Sequence, residues 1–345
     1  MEKIAVGILG ATGTVGQKFI TLLENHPYFV VNEVVASPKS AGKKYSQATN
    51  WKQDSFIPAH VANLTVKSTD QPLESKILFS GMDASVAGEI EEQYANQGHY
   101  VISNSKNHRM DELVPIIIPE VNCDHFELIK KQPYKGAIIT NSNCSTMFLA
   151  MVLAPLHKAF QIEHVHVTTM QAISGAGYPG VASMDILGNV IPFIGGEEEK
   201  MEIEPLKILG EVKGDKIEFA DFSISAHCNR VAVFDGHTES VTIKFKNRPT
   251  VEQIKATLAN FKGMPQEKNL PFAPSKPILI FEEENRPQPA RDALKENGMA
   301  ACVGRIREDK IDHIKMTIMG HNTIRGAAGA AILNAESLVA LGYIN

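Results

Sequence analysis

Cysteine is scarce in this 345-residue chain: four residues, at 123, 144, 228 and 302, with no Cys-x-x-Cys pair among them. Four are too few for a disulfide framework, and the spacing is wrong for a zinc site. Cys123-x-His125 is a chelating spacing, but a lone pair of this kind is usually structural, and no metal is expected. Tryptophan occurs once, and the longest apolar run, Met147 to Leu156, is too short to cross a bilayer and reads as a buried helix. The net charge is -5, and no like-charged block exceeds Glu197-Glu198-Glu199 or Glu282-Glu283-Glu284. That leaves no electrostatic footprint for nucleic acid or an anionic membrane, and both triplets are expected to be solvated faces. Lys3 before IAVGILGATGTVG imitates a secretion signal, yet the four glycines in that stretch and the amphipathic continuation QKFITLLENHP argue against one. A reducing cytoplasm is the expected compartment.

What remains is ordinary globular material, 43% hydrophobic and 21% charged, with length for about two domains. KIAVGILG is a short apolar run ending in glycine, ATGTVGQKFITLLENHP has helical spacing, and VVNEVVAS follows as a second strand. Further strands are expected at LTVKS, KILFSGM and YVISNS, with the helical VAGEIEEQYANQG between the last two. Strand alternating with helix predicts a parallel sheet with helical crossovers. From about residue 160 the runs HVHVTTMQAIS, RVAVFDGHTESVTIKF, ACVGRIRED and HIKMTIMGH alternate. They predict a more antiparallel sheet, one face covered by helices such as VEQIKATLANF. The closing RGAAGAAILNAESLVALGY is helical and apolar on more than one face, so it is expected to pack back and complete the N-terminal domain.

Gly10-Ala-Thr-Gly13-Thr-Val-Gly16 stands between the first strand and the first helix. In that position missing side chains let backbone N–H groups and the helix dipole approach a pyrophosphate, which predicts dinucleotide binding. A fold of this type specific for NAD would carry Asp or Glu at the end of the second strand. Here that strand ends Ala36-Ser37-Pro38-Lys39-Ser40, and Glu33 lies too early to serve. Ser37 and Ser40 can donate to a phosphate and Lys39 or Lys43 can neutralise it, which points to NADP; a merely solvated basic loop is the competing reading.

GAIIT before Cys144 predicts a buried strand, and STMFLAMVLAPLHKAF after it a helix, so the thiol falls at a helix N-terminus, where the dipole favours thiolate. Asn141, Ser142 and Asn143 supply capping groups around it. A free cysteine that merely packs is the alternative, but polar neighbours on one side favour a site. An aldehyde needs such a nucleophile before it can yield a hydride, and a histidine nearby would manage the protons. Of the twelve histidines, His237, read as lying in the glycine turn of VFDGHTESVTIKF, is the best candidate, and His108 the second.

Together GILGATGTVGQKF, SNCSTMFLA, TTMQAISGAGYPG, CNRVAVFDGHTE and MGHNTIRGAAGAAILNAE resemble aspartate-semialdehyde dehydrogenase, in particular its archaeal and fungal branch, over essentially the whole chain. The resemblance implies an α/β, glyceraldehyde-3-phosphate dehydrogenase-like architecture. A Rossmann-type NADP-binding domain would take 1–142 plus 325–345, and an α+β catalytic and dimerisation domain 143–324. It implies that Cys144 is the nucleophile, His237 the acid/base and Gln171 the residue orienting the substrate. Arg230 is similar to the arginine on the substrate carboxylate, and Glu204 and Lys207 to a Glu-x-x-Lys pair facing the substrate ammonium and phosphate; a solvated pair is the competing reading. Arg109 and Asn143 resemble further phosphate contacts. Gly10, Thr12, Gly13, Thr14 and Val15 match the pyrophosphate turn, and Ser174, Gly175 and Asn322 the nicotinamide side.

The implied reaction is reversible reductive dephosphorylation of 4-phosphoaspartate to aspartate 4-semialdehyde, feeding lysine, threonine, methionine and isoleucine synthesis. The implied assembly is a homodimer or a homotetramer. One departure from the family pattern, Gly81, Met82 and Asp83 after a strand, bears on the adenine-side contacts. The competing readings are a CoA-thioester reductase of the malonyl-CoA reductase type, N-acetylglutamyl-phosphate reductase, and, from another class, a non-catalytic NADP sensor.

Overall fold

Five short apolar runs at the head of the chain form one parallel sheet in the computed structural model, which describes residues 2–344. Strands β1 (Ile4–Leu9), β2 (Phe29–Val35), β3 (Ile77–Ser80), β4 (Tyr100–Ser103) and β5 (Ala137–Thr140) lie in the order β2-β1-β3-β4-β5, every pair parallel. All four residues of β3 and of β5 are buried, as expected of strands covered on both faces. Helix α1 (Thr14–Leu23) links β1 to β2, and α2 (Ala84–Gln97) links β3 to β4. Asp83 caps α2 by accepting from the Ser85 N–H, and Gly98 ends it in the left-handed conformation (φ 107°). LTVKS does not become a strand: only Thr65 and Lys67 make isolated bridges there, so its alternation reflects a half-buried connection, not a ladder.

The C-terminal helix Gly329–Ala340 belongs to this first unit, and every residue from Gly329 to Leu338 is buried. Two of its polar residues tie it down: Glu336 meets His26 Nε2 at 2.8 Å with both side chains wholly buried, and Asn334 Nδ2 donates to Asn141 Oδ1 at 2.8 Å. Two main-chain N–H groups, of Tyr28 and Phe29, donate to His26 Nδ1, which leaves Nε2 to carry the proton toward Glu336.

The second unit holds a seven-stranded mixed sheet. In chain order it contributes α3 (Cys144–Phe160), β6 (Ile162–Gln171), β7 (Val190–Ile191), α4 (Glu197–Ile208) and the hairpin β8 (Glu211–Lys213) with β9 (Lys216–Glu218). After these come β10 (Ser223–Val231), β11 (His237–Phe245), α5 (Val251–Ala259), β12 (Ile278–Phe281), β13 (Ala301–Glu308) and β14 (Ile314–Gly320). The sheet order is β12-β13-β14-β11-β6-β10-β7. Antiparallel pairs predominate, but β10 runs parallel to β6 and β12 to β13. Burial alternates along β6, β10 and β11, so one sheet face packs against helices and the other carries polar residues such as His166, Thr168 and Ser225.

By internal packing the first unit comprises Met1–Ile117, Asp124–Asn141 and Ala327–Asn345, and the second Ile118–Cys123 and Ser142–Gly326. The short Ile118–Cys123 segment joins the second unit because Glu120 forms a two-pronged, fully buried ion pair with Arg325 (2.6 and 2.9 Å). Among the described residues no helix is long and apolar enough to cross a membrane.

The turn from β1 into α1 tolerates nothing larger than glycine at Gly16, where an added Cβ would lie 2.3 Å from the Gly10 carbonyl oxygen and 2.7 Å from Ala11 Cα. At Gly13 the nearest atom is an ordinary 3.4 Å away. Gly16→Ala is therefore expected to cost about 3 kcal/mol, seen as a lower melting temperature by calorimetry, whereas Gly13→Ala melts close to wild type. Equal melting of the two variants would contradict this account of the turn.

Candidate active site

Three strands end side by side at one edge of the second unit's buried face. Arg230 of β10 pairs with Gln171 of β6, and Thr238 of β11 pairs with Met170 of β6, so His237, Gln171 and Arg230 form one transverse row. All three are buried. His237 is the first residue of β11 and pairs with Gly320, rather than lying in the preceding glycine turn; alternation alone did not mark where that strand begins. One pleat further along, Glu239, Thr169 and Cys228 make a second row.

Cys144 is brought to the first row by α3, of which it is the first residue. Asn143 caps the helix, its Oδ1 accepting from the Ser145 N–H (2.9 Å) and the Thr146 N–H (3.1 Å). Ten apolar and small residues of α3 are buried, which anchors its axis and aims its N-terminal dipole at the sulfur. Cys144 Sγ lies 3.2 Å from His237 Nε2. Gly326 closes the other side: a Cβ there would lie 2.9 Å from Cys144 Cβ.

The Ala172 N–H donates to His237 Nδ1 at 3.0 Å, so the neutral ring carries its proton on Nε2, facing the sulfur. Burial, helped by the Arg230 and His321 charges, pushes the imidazole pKa down to about 3. The ring is thus a neutral hydrogen-bond donor at ordinary pH. Gly175 approaches it closely, a Cβ being 3.0 Å from Cε1 and 2.9 Å from an Arg230 terminal nitrogen. Asn322 braces this corner, accepting from the Gly236 N–H and donating to Ser174 Oγ, both at 2.8 Å. His108 has other work in the first unit, bonded to Asp111 and the Gly88 carbonyl.

Arg230 donates to the Ala172 carbonyl at 2.7 Å. Glu204 and Lys207, three apart on α4, are both 2% exposed, which removes the solvated reading of that pair. Glu204 accepts the Asn143 N–H at 2.6 Å. Glu197 was missed: its triplet looks solvent-facing in sequence, yet only Glu199 is exposed. Glu197 Oε1 accepts from Asn143 Nδ2 at 2.7 Å, and Oε2 from Lys200 at 3.0 Å. The nearby Gln171 amide also favours the charged form, and these partners outweigh burial and hold its pKa below the usual carboxylate value. Glu198 and Glu202 accept the β10 N–H groups of Cys228 and Ala226, so α4 is tied to that strand by acidic side chains that local pattern does not reveal.

In the first unit Gly10 has φ +74°, and Gly13 caps α1 with no side chain on the free N–H groups of Thr14, Val15 and the next residue. The result is an open cradle of amides suited to a phosphate. Gly81 backs it, a Cβ there meeting Val15 and the Gly16 nitrogen at 3.0 and 3.1 Å, so the unusual turn after β3 is part of the cradle's wall. Ser37, Lys39 and Ser40 follow β2, where Lys43 reaches the Lys39 carbonyl. Glu33 is committed elsewhere, to Lys67 and to the Glu74 and Ser75 N–H groups. Arg109 is buried in this unit and donates to the Asn104 carbonyl. Among the described residues one group has the makings of a metal site, His164, His166 and Asp312. It involves the opposite end of β6 from Gln171 and none of the site residues described above.

Comparison with known proteins agrees with this architecture. Residues 5–129 match the family described as Semialdehyde dehydrogenase, NAD binding domain, and 153–325 that described as Semialdehyde dehydrogenase, dimerisation domain. Aspartate-semialdehyde dehydrogenase of Schizosaccharomyces pombe is 49% identical over 352 residues, covering 98% of this chain and 99% of its own. That of Methanothermobacter thermautotrophicus is 46% identical, covering 96% and 98%. The crystal structure of aspartate semialdehyde dehydrogenase with NADP from Candida albicans superposes with a TM-score of 0.93 at 41% identity, covering 99% and 100%. At these identities over the full length, the chain belongs to the aspartate-semialdehyde dehydrogenase family.

Proposed function

We propose that the chain is an NADP-dependent aspartate-semialdehyde dehydrogenase, reversibly converting 4-phospho-L-aspartate to L-aspartate 4-semialdehyde and phosphate through a thioester on Cys144. The observation that carries the reading is the 3.2 Å approach of Cys144 Sγ to His237 Nε2, with Gln171 and Arg230 in the same row. In the biosynthetic direction the Cys144 thiolate attacks the acyl carbon and phosphate departs. Bound NADPH supplies the hydride that reduces the thioester. The Nε2–H of His237 then donates to the oxyanion of the hemithioacetal and to the sulfur that leaves as the aldehyde is released. No net proton is consumed in that collapse, which suits a histidine held neutral by burial.

Arg230 offers its guanidinium fork to the substrate carboxylate, and Glu204 its charge to the ammonium. Lys207 and Asn143 are the phosphate-side groups; Arg109 keeps that reading on resemblance alone, as do Ser174, Gly175 and Asn322 for the nicotinamide. The amide cradle of Gly10, Thr12, Gly13, Thr14 and Val15 would hold the pyrophosphate, and Ser37, Lys39 and Ser40 the 2′-phosphate that distinguishes NADP. The named relatives give the CoA-thioester reductase and NADP-sensor readings no support. The proposal extends to a homodimer, supported by the dimerisation-domain match, and to a reducing cytoplasm, supported by the scarcity of cysteine; a tetramer has no such support.

Three outcomes test the assignment. Mixed with aspartate semialdehyde, phosphate and NADP+, the protein should generate NADPH, and dependence on CoA in place of phosphate would sink the reading. Cys144→Ala should abolish that signal while still binding NADP, as followed by cofactor fluorescence. For Arg230→Lys, loss of the bidentate grip should cost about 1.5 to 3 kcal/mol of kcat/KM for the semialdehyde.

A fourth outcome concerns pH. The His237 pKa is about 3 when folded and about 6.5 when unfolded, so only the unfolded chain takes up this proton between those values. The associated stability is whole above pH 6.5 and is lost as pH falls through the window. Between pH 7 and 5 wild type should therefore lose about 2 kcal/mol more than His237→Gln in denaturant titrations. Parallel losses would mean the ring is not buried neutral.

A further inference from the structure

We propose that Glu197 is a positioning residue of this site: its carboxylate holds Asn143, which caps the helix carrying Cys144, and faces Gln171, which stands in the row with His237. Asn143 is fixed twice over, its side chain by Glu197 and its N–H by Glu204, so the first turn of α3 cannot rotate without breaking bonds to α4. The Gln171 side chain donates to Thr169 Oγ1 at 3.3 Å. The Asn143 bond is made by a buried residue just 5% exposed, inside a site where an ångström of misplacement costs about a hundredfold in rate.

The surroundings make Glu197 the anion at this spot. Glu239, in the second row, is wholly buried, and neither of its carboxyl oxygens has a hydrogen-bond partner. Burial and the neighbouring Glu197 charge raise its pKa well above the usual value, so it is held neutral. The groups facing Glu197 are Lys200 on its own helix, Asn143 at the start of α3, Gln171 on β6, Arg230 and Cys228 on β10, and His237 and Glu239 on β11.

The kinetic half of the test rests on the dehydrogenase reading, and the alkylation half does not. Glu197→Gln keeps the length and one acceptor oxygen but removes the charge and turns a donor toward Asn143 or Lys200. Its kcat should fall about tenfold or more with KM for aspartate semialdehyde within about threefold, as for an interaction acting on the reacting geometry. Its melting temperature should stay within a few degrees of wild type, and the midpoint pH for Cys144 alkylation by iodoacetamide should move down, since an anion has left. Glu239→Gln, an amide replacing a neutral acid, should leave kcat and the midpoint unmoved. A Glu197→Gln enzyme with wild-type kcat and an unshifted midpoint overturns the proposal. Should that variant not fold, Lys200→Met serves: the midpoint should rise with the counter-charge gone, and an unmoved midpoint overturns the proposal equally. Wild-type protein inert toward aspartate semialdehyde, with the alkylation shifts present, would sink the dehydrogenase reading and leave the role of Glu197 standing.

Discussion

The register of β11 and β10 against β6 governs everything chemical in the second unit. Side chains alternate faces along a strand, so a slip of one residue would turn His237 or Arg230 out onto the polar face and replace it with a neighbour. Seven or eight successive pairings on each side of β6 hold that register, and the buried face between the row of His237, Gln171 and Arg230 and the far end of the strand is filled with Val165, Val167 and Val241. The site is thus set by apolar packing some distance from it. The helix that carries the thiol is placed in the same way, by a buried apolar body that leaves only its first residue to chemistry.

Charge imposes the second constraint. Cys144, His237, Arg230, Glu197, Glu204 and Lys207 occupy a region where an unpaired ion is costly. Each titratable group adopts the state its neighbours allow: the imidazole loses its proton, Glu197 keeps its charge against a lysine and two amides, and Glu239 gives its charge up. Main-chain groups do much of the sorting. The Ala172 peptide alone fixes the imidazole tautomer through its N–H and one arm of Arg230 through its carbonyl.

The parts legible in the sequence are those decided by a few consecutive residues. Gly10 and Gly16 announce a tight turn because a Cβ has nowhere to go, and Asn143 before Cys144 announces a helix start because a carboxamide can bond the free N–H groups. What stayed hidden depends on distant packing. Glu197 and Glu198 read as part of a solvated triplet until α4 is laid along β10, and the Arg325 pairing with Glu120 spans two hundred residues of chain. LTVKS misled in the opposite sense: its alternation is real, but no neighbouring strand runs beside it for more than a single bridge.

The chain passes from one packing unit to the other after residues 117, 123, 141 and 326. Neither unit is therefore a contiguous piece of sequence. The last crossing but one falls between Asn141 and Ser142, three residues before the thiol, and the final one directly follows Arg325 and Gly326. A recombination event, natural or designed, that exchanged one half for a homologue's would need four compatible junctions at once, two of them touching the nucleophile's own neighbourhood. A shuffled library cut at a single point inside residues 118–326 would mix the parents in both units, whereas a cut before or after that stretch divides only the first.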